Sequence, residues 1–216
     1  MDPVTTGTSP RIRLTPDERR AQLLDLGVRL LADRSLDELS IDLLAEEAGI
    51  SRGLLYHYFG NKHAFHEAVV RRAVDDLIAQ TAPPGTGGAL EQLAASMTAY
   101  VDYVVTNHAG YLSLVKGAQG GNETLRAIYD EARGVLTDRI FTEDAQADIM
   151  PDTPAIRLLV RGWAAMAEEL VLSWVADPNG VTRDELLHLL AVSLPVLVDA
   201  SVTATPAGDG SPRTRP

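Results

Sequence analysis

Ile41-Asp42-Leu43-Leu44-Ala45-Glu46-Glu47-Ala48-Gly49-Ile50-Ser51-Arg52-Gly53-Leu54-Leu55-Tyr56-His57-Tyr58 decides how the rest of this 216-residue chain is read. The stretch divides at Gly49. Before it, Ser40 stands as a helix N-cap, and Ile41, Leu44, Ala45 and Ala48 recur at helical spacing. Gly49 ends that helix, because the position after a last helical turn favours positive φ. Ser51 then caps a second short helix through Tyr58. Two short helices joined this way pack steeply only if a small residue sits at their contact and apolar groups fill the wedge between them. Ala45 meets the first demand; Leu44, Ala48, Ile50, Leu55 and Tyr58 meet the second. Ser51, Arg52, Tyr56 and His57 face outward from the N-terminal end of the second helix, the end that a helix-turn-helix presents to DNA. A plain helical hairpin also favours glycine in its turn, so the pattern alone leaves both readings open.

Working outward, residues 1–14 are rich in Thr, Pro and Arg without periodicity and read as a flexible arm. Thr15, Pro16 and Glu18 form a capping-box start for a first helix. Its apolar face is Leu23, Leu24, Leu26, Leu30 and Leu31, and it is expected to end near Asp33-Arg34. Gly60-Asn61 breaks the third helix, and a long fourth runs over 62–80. Pro83-Pro84-Gly85-Thr86-Gly87-Gly88 fits the interior of neither helix nor strand. Helices are then expected over 89–107, 110–118, 121–143, 154–176 and 182–202, the last opened by a capping box from Thr182 to Glu185. No stretch alternates as a strand does. The chain reads as all-α with about nine helices. Its expected division is an arm (1–14), a helix-turn-helix domain (15–65), a larger helical domain (66–203) and a disordered tail (204–216).

Composition narrows the function. There is no cysteine, which excludes a disulfide scaffold, a thiolate metal site and cysteine catalysis, and fits a reducing cytosol. No stretch reaches the ~18–20 uninterrupted apolar residues of a membrane span. Met1-Asp2-Pro3-Val4 lacks the basic and apolar regions of a signal peptide. The expectation is a cytoplasmic protein with no membrane partner. The net charge is −11. Residues 1–64 carry eight Lys and Arg against ten Asp and Glu, and residues 65–216 eleven against twenty. The N-terminal part is less acidic but not basic. DNA binding must therefore come from local placement of donors, and must be salt-sensitive and sequence-selective.

Leu39 to Lys62 closely resembles the DNA-binding signature of the tetracycline-repressor (TetR) family, through the run Gly49-x-Ser51-Arg52-Gly53-x-Leu55-Tyr56-x-Tyr58-Phe59-x-x-Lys62. The resemblance covers about residues 15–65. It implies a homodimer that binds a palindromic operator in duplex DNA, in the reading preferred here as a repressor released by a small-molecule effector. Ser40 and Ile41 would offer a hydroxyl and backbone N–H groups to a phosphate. Gly53 would let the recognition helix approach the duplex, Tyr56 and Tyr58 would donate hydroxyls to phosphates, and Lys62 would pair with a phosphate. Arg52 and His57 are the candidates for base edges or phosphates. Leu54 departs from the family, which often has Thr there; leucine can make only an apolar contact, such as one to a thymine methyl.

The same resemblance implies middle helices around a ligand cavity and two last helices paired with those of a second subunit. For the cavity the candidates are Met97, Tyr100, Tyr103, Val104, Asn107, Tyr111, Phe141, Trp163 and Met166, against an ordinary core. With no evident run of buried Arg or Lys, an apolar, uncharged or weakly charged effector is expected. For the dimer interface they are Trp163, Leu170, Leu187, Leu190, Leu194 and Leu197. Residues 186–198 are apolar nearly all round, which requires burial on more than one side, in a dimer or at the centre of a monomer core. Pro195 is expected to kink that helix.

Other signals point less clearly to chemistry. Gly49-Ile50-Ser51-Arg52-Gly53 matches the Gly-x-Ser-x-Gly of serine hydrolases, but that motif needs a strand before the turn. His63, His66 and Glu67 share a helix face without further ligands nearby, so no metal site is expected. Gly85-Thr86-Gly87-Gly88 lacks the Lys-Ser/Thr of a phosphate loop and reads as a linker. No cofactor and no catalytic residue is assigned. The alternatives are a DNA-binding regulator with a filled, vestigial pocket and a hydrolase at Ser51.

Overall fold

The computed structural model describes residues 14–142 and 150–203, so the expectations for the arm and the tail lie outside the described residues, apart from Leu14. Nine helices and no strand are present among these residues: α1 (Pro16–Leu30), α2 (Ile41–Ala48), α3 (Arg52–Phe59), α4 (Lys62–Gln80), α5 (Ala89–Thr106), α6 (His108–Gln119), α7 (Glu123–Thr142), α8 (Pro154–Ala176) and α9 (Arg183–Thr203). The chain is all-α, as its periodicity indicates.

Side chains fix the helix starts. The Thr15 hydroxyl accepts the Glu18 N–H at 3.2 Å while the Glu18 carboxylate accepts the Thr15 N–H at 2.7 Å, which closes the capping box of α1. Ser40, Ser51, Asn61 and Thr153 cap α2, α3, α4 and α8 in the same sense. α1 ends at Leu30, short of the expected Asp33-Arg34. The Leu31 carbonyl is instead taken by the N–H of Gly110 on α6, at 2.9 Å. A Cβ at Gly110 would lie 2.8 Å from both Cβ and the carbonyl oxygen of Leu31, so glycine permits this approach.

Two apolar clusters organise the molecule. The first joins Leu23 and Leu30 of α1, Leu44 of α2, Leu55 of α3 and Phe65 and Val69 of α4, and continues into Leu114 of α6 and Ile128 of α7. The second joins Val101 and Val104 of α5, Val160, Trp163 and Val171 of α8 and Leu190 and Leu194 of α9. α4 belongs to both, since Leu77 near its end lies in the second cluster. One 19-residue helix therefore runs from the helix-turn-helix into the larger domain.

α9 continues unbroken through Pro195, although the proline removes the N–H that would bond the Ala191 carbonyl. It is also the one described helix long and apolar enough, by length and composition, to cross a membrane. Its buried stripe of Leu186, Leu190, Leu194 and Val198 packs inward, and Leu189, Val192, Val196 and Leu197 remain exposed.

Candidate nucleic-acid interface and internal cavity

The turn between α2 and α3 is built by Gly49. Its φ of 63° and ψ of 36° are left-handed, and it carries a paired closure: Ile50 N–H to the Ala45 carbonyl at 3.0 Å and Gly49 N–H to Glu46 at 3.1 Å. That is a Schellman end, which a β-carbon would strain. Leu55 and Phe59 point into the head and are buried. Ser51, Arg52, Gly53, Leu54, Tyr56 and His57 are all exposed, so one end of α3 presents them together. Tyr58 is half-buried against the core, and its ring meets His57 edge-on at 5.7 Å.

Around that end the donors are arranged in different ways. Ser40 Oγ accepts the Leu43 N–H at 3.0 Å, which leaves its hydroxyl proton for an outside acceptor. The Ile41 side chain is buried, so only its backbone faces outward from the start of α2. An added Cβ at Gly53 would meet only Ser51 Oγ at 3.9 Å, so the fold itself places no demand for glycine there. Arg52 is ion-paired with Asp42 of α2, both exposed. Such a pair contributes little stability and opens readily. Lys62 is exposed at the first turn of α4.

Two sequence signals resolve into structure. Ser51 Oγ caps α3, and a helix precedes it, not the strand of a nucleophile elbow. His66 Nε2–H donates to the Leu39 carbonyl at 2.6 Å, and Glu67 pairs with Arg71. Among the described residues, no group of three His, Cys, Asp or Glu side chains could hold a metal ion.

In the larger domain, α4, α5, α6, α7 and α8 line a partly open cavity of about 120 Å³. Val74, Leu77, Leu93, Met97, Leu114, Leu136 and Ile140 make its walls apolar. A polar ladder crosses one side. Arg133 Nη1 donates to the Tyr129 hydroxyl at 2.8 Å, Tyr129 donates to Glu168 Oε1 at 2.7 Å, and Tyr111 donates to Glu168 Oε2 at 2.9 Å. Tyr111 has then spent its proton, so Tyr100 must donate to Tyr111, at 2.9 Å. Burial drives the hydroxyl pKa values of Tyr100, Tyr111 and Tyr129 above the ordinary tyrosine value, with Glu168 adding to the rise, so these three hydroxyls keep their protons. Arg133 Nη2 is buried and has no acceptor among the described residues. An unmet donor of this kind costs about 1–3 kcal/mol or more.

Residues 23–69 match the family described as "Bacterial regulatory proteins, tetR family", and residues 90–195 match "Tetracyclin repressor-like, C-terminal domain". The crystal structure of a tetR-family transcriptional regulator from Streptomyces coelicolor has 34% identity and a TM-score of 0.77, over 88% of this chain and 84% of that one. The chain belongs to the TetR family. The HTH-type transcriptional activator FasR of Mycolicibacterium smegmatis is 26% identical over 178 residues, 82% of this chain and 81% of that protein. FadR from Bacillus subtilis, solved in complex with stearoyl-CoA, shares the fold at 20% identity and a TM-score of 0.58, over 82% of this chain and 97% of that one.

In this TetR-family chain, four of the residues that the sequence suggested for an effector line the cavity: Met97, Tyr100, Tyr111 and Trp163. The others lie elsewhere. Tyr103 and Asn107 line a smaller cavity of about 30 Å³ against α1 and α4, where the Tyr103 hydroxyl donates to the Ala73 carbonyl. Val104 is wholly buried, Phe141 lies under the Arg157 guanidinium at 4.5 Å, and Met166 is exposed on α8. Of the suggested interface residues, Trp163, Leu190 and Leu194 are buried within the chain, Leu170 and Leu187 are half-buried, and Leu197 is exposed. Half of the α9 residues read as an interface thus lie on its inner face; a helix apolar nearly all round carries little polar surface to mark which way it turns. Arg133, Tyr129 and Glu168 were missed. Their signal was available in register: Tyr129, Arg133 and Thr137 recur every four residues beside the apolar stripe of α7, and Glu168 interrupts the apolar stripe of α8.

Proposed function

We propose that this TetR-family regulator is a homodimer that binds a palindromic operator through two α2–α3 heads and is released by a small, largely apolar effector in the cavity of the larger domain. The observation that carries this reading is α4. Lys62 stands at its DNA-facing start, and Val74 and Leu77 further along line the cavity. A second link runs through α6. Tyr111 belongs to the cavity ladder, and its neighbours Gly110 and Ser113 hold Leu31 and Leu36 of the head by hydrogen bonds of 2.9 and 3.2 Å. A ligand that binds better when α4 and α6 are displaced shifts the population away from the DNA-competent arrangement.

The dimer is supported by the outer faces of α8 and α9. Leu158, Leu189, Val192, Val196 and Leu197 are exposed there beside the small Gly162 and Ala165. A contiguous apolar face of this kind is what a C₂ interface covers. Two heads must then stand ~34–36 Å apart, or a multiple, to enter successive major grooves. The partner in this reading is double-stranded operator DNA, which supports a cytoplasmic location, and the reading is of a regulator, not an enzyme.

Sedimentation of the full chain should give a dimer at micromolar concentration, and Val196→Glu should shift it toward monomer. A monomeric wild type contradicts the reading, as does a tight cavity ligand that leaves operator affinity unchanged. Repression is the first reading of the output. Activation is a second, favoured by the name of the mycobacterial relative. Transcription in vitro from an operator-bearing promoter separates them, falling with added protein in the first and rising in the second.

A further inference from the structure

Arg133 uses only one prong of its fork. Nη1 is held by the Tyr129 hydroxyl, whereas Nη2 is buried without an acceptor on a side chain that lines the cavity. Native interiors seldom leave such a donor unmet. Its neighbours do not supply the partner. Both Glu168 oxygens accept from tyrosines, Thr137 Oγ1 donates back to the carbonyls of Arg133 and Gly134, and Arg139 gives Nη1 to the Ile78 carbonyl. Arg133 thus brings to a cavity with mostly hydrocarbon walls a guanidinium whose Nη2 is unmet and closed to a water molecule.

Charge and size restrict what can complete it. Arg133 and Glu168 face the same space with opposite sign, bridged by the Tyr129 hydroxyl. A neutral acceptor preserves that balance. A carboxylate would bring a second negative charge beside Glu168 among mostly apolar walls, at a desolvation cost. An apolar cavity of ~150 Å³ is known to hold benzene. The present volume of about 120 Å³ thus suits a compact body of similar scale.

Granting the effector reading of this cavity, we propose that it selects a compact, uncharged carbonyl compound: an apolar ring or short branched chain with one ketone, ester or lactone oxygen that accepts from Arg133 once the guanidinium turns its unmet Nη2 to the cavity. The guanidinium then acts as the selective contact, and the tyrosine ladder holds it in place.

The test uses the full chain carrying Trp174→Phe, so that Trp163 on the cavity wall is the one indole reporter. Cyclohexyl methyl ketone, cyclohexanecarboxylate and ethylcyclohexane are titrated while fluorescence is followed. The ketone should bind roughly tenfold more tightly than either of the others, the scale of one hydrogen bond to a charged donor. Arg133→Met should bring the ketone and the hydrocarbon to equal affinity. Arg133→Gln, which keeps an amide donor, should restore part of the difference and guards against a Met variant that fails to fold. Tightest binding by the carboxylate, equal binding of ketone and hydrocarbon by the wild-type cavity, or an undiminished ketone preference in folded Arg133→Met overturns the proposal and leaves the cavity as an effector site. Binding of none of the three to the folded chain overturns both.

Discussion

The α2–α3 unit and the α8–α9 pair are both helical hairpins, and they are held by different means. α2 and α3 have eight residues each, too short to be stable alone, and their ends are tied by Ser40, Ser51 and the left-handed Gly49. They bury five residues: Ile41, Leu44, Ala45, Leu55 and Phe59. α8 and α9 run 23 and 21 residues, bury one apolar stripe each and expose another. In the first pair the geometry of the backbone is what must be right, because a rigid duplex reads it. In the second, buried area is what must be right, and many sequences can supply it. Tight local rules thus mark the helix-turn-helix, and loose ones the larger domain, to which a ligand and a second copy are assigned here as a proposal.

Changes in the two regions should break this contrast in graded ways. Leu55→Ala removes a wholly buried anchor of α3 and should cost about 3 kcal/mol. Operator binding should be lost at 25 °C while the fluorescence of Trp163 and Trp174, both in the larger domain, stays native. Loss of both signals together would show that the head and the larger domain stand or fall as one. Gly110→Ala drives a β-carbon against Leu31, where backbone as well as side chain must give way. A cost of about 1–3 kcal/mol is expected. Operator affinity should fall with the thermal midpoint, which would locate the coupling between the regions in α6.

Within the head, two substitutions separate reading from holding. Arg52→Ala should cost about 1–3 kcal/mol at one base position if the guanidinium reads a base edge. Lys62→Ala should weaken binding to all sequences alike and lower the salt slope by about one unit. Titration over base variants and salt distinguishes them, and identical behaviour would reduce Arg52 to a phosphate contact.

The smallest effect concerns His66. Burial lowers its pKa below the ordinary histidine value, although the hydrogen bond to Leu39 opposes the shift. The unfolded chain therefore takes up a proton near pH ~6.5 that the folded head resists. This contribution to stability is present above that pH and is lost as pH falls. Denaturation midpoints should rise between pH 5 and 7, and the rise should shrink in His66→Gln; an unchanged pH profile would assign it to other groups.

The contrast also explains what could be read before any coordinates. Ser40, Gly49 and Ser51 act on neighbours within five residues, so their roles are legible in one dimension. The start of α1 is legible for the same reason, through Thr15-Pro16. The end of α1 is not, because it depends on Gly110, 79 positions from Leu31. Nor is the orientation of α9, whose apolar residues occupy every side. Arg133 and Glu168 look like surface charges on long helices, and only the packing of α7 against α8 turns them toward a common space. Ser51, Arg52, Gly53, Leu54, Tyr56 and His57, proposed from the sequence to meet DNA, are gathered by the fold at one exposed end of α3.

The most direct test of the account is selection of binding sites from a random duplex library with the purified full chain at moderate salt, with an acidic competitor present. A palindrome whose half-sites are centred about one helical turn apart, or a multiple, is the expected result. Recovery of no selective site by folded, dimeric protein would contradict it, and would mean that the acidic balance of residues 1–64 outweighs the donors gathered on α2, α3 and α4.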